Sequence, residues 1–148
     1  MSRDNRVTEK RLLQSAILVF GLVPVLAGLA GMILGAGFIA DAADPSLDSH
    51  VRYLSGLLFG IGVAFWTSAP RIETMGSRFR LLTAVVFAGG LARLVGIVVV
   101  GIPSNSAVLA LGMELVVTPL LCLWQARVAH AGVQDARTNK LNSRTVSK

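Results

Sequence analysis

The chain is 148 residues long, with a net charge of +6 and a mean hydropathy of +0.67. Only 15% of its residues are charged, against about 25% in an average soluble domain, while 53% are hydrophobic. This composition excludes an ordinary soluble domain, and the single cysteine, Cys122, excludes an intrachain disulfide.

The apolar residues are collected in four blocks that are nearly free of charge, each 19 residues or longer. About 20 apolar residues in a helix cross the hydrocarbon core of a bilayer. The blocks therefore predict an all-α protein, a four-transmembrane-helix antiparallel bundle with helices at about residues 8–37, 51–69, 79–102 and 106–130. These helices form one membrane domain, residues 1–132, and the polar residues 133–148 are predicted to be a disordered cytoplasmic tail.

The basic residues are concentrated at one end of these predicted helices. Twelve of the 14 Lys and Arg residues lie before the first block, between the second and third, or after the fourth, and the other two connections contain none. Cytoplasmic segments carry an excess of Lys and Arg, so we expect both termini in the cytoplasm. Topology thus accounts for the positive charge, and no nucleic-acid partner is expected.

The first block is rich in glycine and longer than one bilayer crossing. A cleaved signal peptide is the alternative interpretation, because residues 40–42 resemble a cleavage site. However, the apolar core of a signal peptide is only about 7–15 residues long, much shorter than this block. Small residues let a second helix approach closely within a membrane. The glycines predicted to pack helices together are Gly21, Gly28, Gly31 and Gly35 in the first helix, the last two in a GxxxG pattern, and Gly56 and Gly60 in the second.

Four polar residues lie at the start of the second helix or in the outer loop just before it, which we expect at residues 41–50: Asp48, His50, Arg52 and Tyr53. Such side chains are favoured in the headgroup region of a membrane, which is one interpretation. The other interpretation is that they line the outer entrance of a pocket.

The third and fourth blocks each carry one charged residue, Arg93 and Glu114. Counted from their shared turn, they lie at depths of roughly 13 and 11 Å, at about 1.5 Å per helical residue. The short turn makes the two helices antiparallel neighbours, so the charges are predicted to meet, since either alone would be costly in a membrane. Gly89 and Gly96 share the helix face of Arg93 and are also predicted to pack against a neighbouring helix.

The fourth helix carries a polar seam at spacings of four, four and three residues: Glu114, Thr118, Cys122 and Gln125. We expect this seam to face the interior of the bundle. The two histidines, His50 and His130, are expected on opposite sides of the membrane, and the sequence contains no CxxC or Cys/His cluster. We therefore expect no metal site, no cofactor and no set of catalytic residues.

Three strings in this order, HVRYLSGLLFGIG, GGLARLVG and MELVVTPLLCLWQ, resemble an uncharacterised family of small bacterial four-helix membrane proteins, catalogued as domain of unknown function 4345. The resemblance covers roughly residues 12–130, and the architecture is more distantly similar to the DoxX-like membrane families. It implies a multi-pass protein of the bacterial inner (cytoplasmic) membrane with no established activity. The positions it marks as characteristic are His50, Arg52, Tyr53, Arg93 and Glu114.

Three functions are compatible with these features. The glycine faces favour a structural or accessory subunit, with membrane lipids and other transmembrane subunits, identical or different, as its partners. The intramembrane carboxylate is typical of a functional site and favours a small transporter or a binding protein for a lipophilic ligand such as a lipid or quinone. However, pairing with Arg93 would hold Glu114 ionised, which opposes proton exchange. The third function is a membrane enzyme acting on a lipid. No nucleophile, metal-ligand set or cofactor motif in the sequence supports it.

Overall fold

The computed structural model describes residues 3–38 and 44–146, and its elements in these ranges are all helical. This confirms the predicted all-α class. Four long helices in this part of the chain are apolar enough to cross a membrane, as predicted: Asn5–Gly37, Pro45–Arg71, Gly76–Val100 and Asn105–Gly132. In detail, the elements are α1 (Arg3–Leu34) with a 3₁₀ turn (Gly35–Phe38), α2 (Pro45–Ser68) with a 3₁₀ turn (Ala69–Arg71), α3 (Gly76–Val100), α4 (Asn105–Gly112), a π-helical turn (Met113–Val117) and α5 (Thr118–Val146).

Many large apolar side chains on these helices are exposed. At the end of α3, for example, the exposed fractions of Val98, Val99 and Val100 are 80%, 75% and 87%. A soluble protein rarely exposes a continuous apolar surface, whereas lipid acyl chains can cover one. The helices are therefore those of a multi-pass membrane protein.

The chain divides into two compact units, each built around a pair of antiparallel helices. Gln14–Pro70 forms the α1–α2 unit. Met1–Leu13 together with Arg71–Lys148 forms the α3–α5 unit.

Glycines on α1 allow close approach of α2 within the α1–α2 unit. A methyl group built on Gly28 would lie 2.6 Å from the backbone nitrogen of Phe59. One built on Gly31 would collide with the hydroxyl of Ser55. Because the neighbour of Gly28 is backbone, a larger residue there would push the two helices apart.

Hydrogen bonds fix the same pair of helices near the other end of the unit. Trp66 Nε1 donates to the Leu18 carbonyl at 3.0 Å, and Gln14 Nε2 donates to the Ala69 carbonyl at 2.9 Å. A methyl group on Gly21 would lie 2.6 Å from that Trp66 nitrogen. The indole and the amide therefore satisfy carbonyl groups within a largely apolar segment.

The glycine of α2 that packs closely against α1 is Gly62. A methyl group built there would lie 2.7 Å from Val25 Cγ2, whereas at Gly56 it would only touch the sulfur of Met32 at 4.0 Å. At Gly60 it would meet no described atom within 4 Å. The predicted Gly56–Gly60 face and the face packed against α1 are therefore different.

Helix α1 ends at a glycine that adopts a left-handed backbone conformation. Gly35 has φ +61°, a value that L side chains rarely adopt. A methyl group there would also collide with the side chains of Asp48 and Arg52. Gly35 therefore serves both as the end of α1 and as a point of close contact with α2.

Helix α2 begins at Pro45, earlier than the predicted start near residue 51. Asp44 is its N-cap, because its carboxylate accepts from the backbone N–H of Ser46 at 2.7 Å and of Leu47 at 3.0 Å. Those hydrogen bonds, from Leu47 above all, lower the pKa of Asp44. Proline suits the first helical position, where its missing N–H costs nothing. Asp48 and His50 thus lie on the helix rather than in a loop.

The α3–α5 unit has a small buried core at the end opposite the α3–α4 turn. Ile72 and Phe79 are fully buried. Gln125 on α5, 2% exposed, donates through Nε2 to the Ile72 carbonyl at 2.8 Å. Helix α5 continues to Val146, so its backbone is helical in residues 133–146, for which the sequence predicts a disordered tail. That stretch contains neither Gly nor Pro, the residues that interrupt helices most strongly.

Candidate functional site

The Arg93–Glu114 pair joins α3 to the π-helical turn before α5. Arg93 Nε donates to Oε2 of Glu114 at 3.1 Å, and Nη2 donates to Oε1 at 3.1 Å. Two parallel hydrogen bonds are the strong and geometrically specific form of an arginine–carboxylate contact. The structure thus brings together the two charges that the sequence places at similar depth.

A glycine that sequence analysis did not single out lets the helices approach at this pair. A methyl group built on Gly90 would lie 2.6 Å from Leu115 Cδ2 and 2.9 Å from Glu114 Cβ. At Gly89 or Gly96, both predicted to pack helices, it would meet no described atom within 4 Å. Adjacent residues on a helix point about 100° apart, so only the second member of the Gly-Gly pair faces the partner helix.

Glu114 lies in the π-helical turn Met113–Val117. The carbonyl of Met113 accepts from both the hydroxyl of Thr118, at 2.9 Å, and the backbone N–H of the same residue. Pro119 has no N–H to offer the carbonyl four residues earlier, which accounts for the break in regular α-helix. The π-helical turn was not predicted, although Thr-Pro in the apolar block was its visible signal.

The remaining residues of the predicted polar seam hold different parts of the unit. Thr118 bonds to its own helix, and Gln125 bonds to the turn before α3. Cys122 is a half-buried free thiol between them. Thr118 and Gln125 therefore make separate local contacts and do not form one continuous polar seam.

Asp48 and Arg52, one turn apart on α2, bind the end of α1. Arg52 Nε donates to Asp48 Oδ2 at 2.7 Å, and Arg52 Nη1 donates to the carbonyls of Met32 and Ile33 at 2.7 and 3.0 Å. The N–H of Ala36 donates to Asp48 Oδ1 at 2.9 Å. These contacts satisfy backbone groups that a helix end leaves unpaired.

The other two residues of the predicted outer pocket are placed on the surface. His50 is exposed, and Tyr53 is 67% exposed. The structure thus engages Asp48 and Arg52 in contacts with α1, while His50 and Tyr53 present their rings outward, as side chains of the headgroup region do.

Replacing Arg52 by alanine is expected to loosen the end of α1. The carbonyls of Met32 and Ile33 lose a charged donor, so we expect a stability loss on the order of 1 kcal/mol and faster amide exchange near residue 36. Hydrogen–deuterium exchange with a thermal melt in detergent measures both. His50→Ala, on the same helical turn, is the matched control. Equal exchange at residues 32–38 in the two variants would contradict the assigned role of Arg52.

Residues 12–125 match a family described as a domain of unknown function (DUF4345). The chain belongs to this family. The match covers well over half of the sequence and includes both the Arg93–Glu114 pair and the contacts of Asp48 and Arg52. No curated protein and no solved structure matches the chain.

The end of the α3–α5 unit opposite the α3–α4 turn carries two further ion pairs at the edge of the DUF4345 match. Lys10 Nζ lies 2.6 Å from Glu73 Oε2, and Arg127 Nε lies 3.3 Å from Glu9 Oε1. They tie the start of α1 to the turn before α3 and to α5. Neither glutamate was predicted to form an ion pair, although both stand in segments dominated by cations.

A cavity of about 220 Å³ lies beside the Lys10–Glu73 ion pair. Its wall combines these charged groups with apolar side chains, among them Val7 and Val128. Within the described residues, no group of three or more His, Cys, Asp or Glu side chains is arranged to hold a metal ion.

Proposed function

We propose that this member of the DUF4345 family is a structural or accessory subunit of a membrane assembly, formed with further copies of itself or with other transmembrane proteins. Its location is the bacterial cytoplasmic membrane, with both termini in the cytoplasm. The observation that carries the proposal is the closed geometry of the Arg93–Glu114 pair.

Both carboxylate oxygens of Glu114 accept hydrogen bonds from Arg93. A carboxylate that serves as a proton carrier or ligand group has to exchange partners, and a bidentate arginine opposes that exchange. The same pair holds α3 in one register against the following helix. The geometry therefore favours a role in assembly over a role in chemistry.

Glycines that have no close neighbour in the described chain support the same proposal. In the described chain, a methyl group at Gly89, Gly96 or Gly112 would meet no atom within 4 Å. Helix–helix contacts in membranes are enriched in such residues because they let backbones approach closely. Glycines without a close neighbour in their own chain fit a contact with another subunit.

The π-helical turn favours a second candidate, a small transporter or a protein that binds a lipophilic ligand. Such turns are frequent at functional sites, and this one contains the intramembrane carboxylate, Glu114. In that case the pair would have to open during the functional cycle.

The composition of the purified protein distinguishes the two candidates. The full chain is extracted in native nanodiscs, and the proteins and small molecules in each nanodisc are identified and counted by mass spectrometry. Additional copies or another transmembrane protein in fixed stoichiometry are expected. A single copy with one lipid or quinone molecule in fixed stoichiometry would instead support the binding protein. The Arg93→Met/Glu114→Leu variant is the control, since it removes the charges while keeping apolar volume.

Reporter fusions test the proposed topology. A fusion at the C-terminus is expected to report the cytoplasm, and one inserted between α1 and α2 the opposite side, because the basic residues accumulate on the side of the termini. A fusion between α2 and α3, close to Arg71 and to Arg78 and Arg80 at the start of α3, is the control and should match the C-terminal one. A cytoplasmic signal from the α1–α2 insertion would overturn this topology.

A further inference from the structure

The Arg93–Glu114 pair is not fully covered within the α3–α5 unit. The side chain of Arg93 is 39% exposed and that of Glu114 is 19% exposed. Both belong to candidate membrane-spanning helices, where contact between a charged group and acyl chains is costly. Something more polar than an acyl chain must therefore cover the exposed part of the pair.

The surface beside the guanidinium leaves room for another backbone. Gly89 and Gly96 lie one turn before Arg93 and nearly one turn after it, and neither has a close neighbour among the described residues. We call these three residues the open α3 face. Arginine offers five donors, of which two serve Glu114, so others can reach a second acceptor across this face.

Symmetry identifies the partner whose charges are complementary to this pair. The pair joins two neighbouring antiparallel helices, so its dipole lies across the helices and within the membrane plane. A two-fold axis normal to the membrane keeps both copies in one orientation and reverses any in-plane dipole. When the axis passes beside the Arg93–Glu114 contact, the second copy presents its glutamate to the first Arg93, and its arginine to the first Glu114.

We propose that a second copy of this chain docks on the open α3 face, so that two Arg93–Glu114 pairs form one four-charge cluster. This proposal rests on the proposed function and names the partner. Each arginine then contacts two carboxylates, and the glycines bring the two α3 backbones close enough for the contact. An acyl chain offers no such acceptor, and a different protein would need its own pair of opposite charges at this depth.

Complementation between two single variants tests the proposal. Arg93→Ala and Glu114→Ala chains with different tags are co-expressed at full length and captured through one tag in mild detergent. The mixed assembly keeps one Arg93–Glu114 contact between chains, whereas neither variant alone keeps any. We expect the mixed pair to be co-captured about tenfold more than either variant with itself, because close charge pairs across interfaces couple by at least that factor. Equal capture would overturn the proposal.

A cross-link keeps the proposal testable if the single variants do not accumulate. In a Cys122→Ser background, Gly89→Cys and Gly96→Cys leave the charge pair intact, and Gly60→Cys on α2 is an equally open control. Oxidation is expected to give a disulfide-linked dimer from at least one α3 variant and none from the control. Failure of both α3 variants would overturn the proposal. Recovery of a different membrane protein without a second copy of this chain would also overturn the proposal. It would leave the proposed role as a subunit intact.

Discussion

Arg93→Ala and Glu114→Ala are each expected to destabilise the protein more than the double alanine variant does. Each single variant leaves an uncompensated charge on a membrane-spanning helix, at a cost of about 2.5–3.5 kcal/mol by insertion scales. The double variant removes both charges and with them this penalty. The bidentate contact, with both distances at 3.1 Å, is the reason to expect strong coupling.

A double-mutant cycle on the full chain measures this coupling. The free energy of unfolding of the four proteins is determined in one detergent, with accumulation in the membrane as a second readout. The two single losses are expected to sum to well above the loss of the double variant. A double variant as damaged as that sum would mean that the residues act independently, and the functional-site interpretation of Glu114 would then gain over the structural one.

The neutral Arg93→Met/Glu114→Leu variant separates stability from function. Well-packed apolar residues often replace a buried ion pair at no cost in stability. If this variant accumulates normally but no longer associates with its partner, the charges serve recognition. If it both accumulates and associates normally, the pair is dispensable for assembly, and the four-charge cluster proposed between two copies fails while the role as a subunit stands.

The meeting of Arg93 and Glu114 could be predicted because it depends on quantities that the chain alone determines. Helical rise is constant, and the connection between α3 and α4 is too short for anything except an antiparallel turn. Counting residues from that turn therefore gives depth. The four long helices could be predicted for a similar reason, since length and composition decide whether a helix crosses a membrane.

Rotation of a helix about its axis could not be predicted in the same way. The second helix contains Gly56, Gly60 and Gly62, and the first two lie at regular spacing. Gly60 and Gly62 point roughly 200° apart, so only one of them can face α1. Spacing alone does not say which, because several faces of this helix carry small residues. The structure places Gly62 against Val25.

The start of α2 was predicted wrongly for a different reason. Asp-Pro is typical both of a turn and of an N-cap followed by the first helical residue, and the same letters serve both. At Asp44–Pro45 the chain forms the helix start, because two backbone N–H groups donate hydrogen bonds to the aspartate carboxylate. The hydrophobic residues begin only later, so an estimate based on them starts the helix too late.

Substituting leucine at three glycines is expected to separate the packed faces from the open ones. Gly28→Leu should cost the most, because its new Cβ would lie 2.6 Å from the nitrogen and 2.8 Å from the Cα of Phe59, and backbone cannot rotate aside. Gly62→Leu should cost less, since the nearest atom is the side-chain methyl of Val25, although its backbone nitrogen follows at 3.1 Å. Overpacking typically costs about 1–3 kcal/mol, and Gly28→Leu should lie at the upper end.

Gly60→Leu is the matched control and should be neutral or slightly stabilising. Its Cβ would meet nothing within 4 Å in the described chain, and leucine is favoured over glycine in a helix interior by about 0.5–1 kcal/mol. The helix propensity gain is the same at all three positions, so the order of the three melting temperatures reports packing alone. Thermal unfolding followed by circular dichroism in detergent gives that order. If Gly60→Leu were the most damaging of the three, α2 would present its Gly60 face to a close neighbour, and the α1–α2 contact through Gly28 and Gly62 would be wrong.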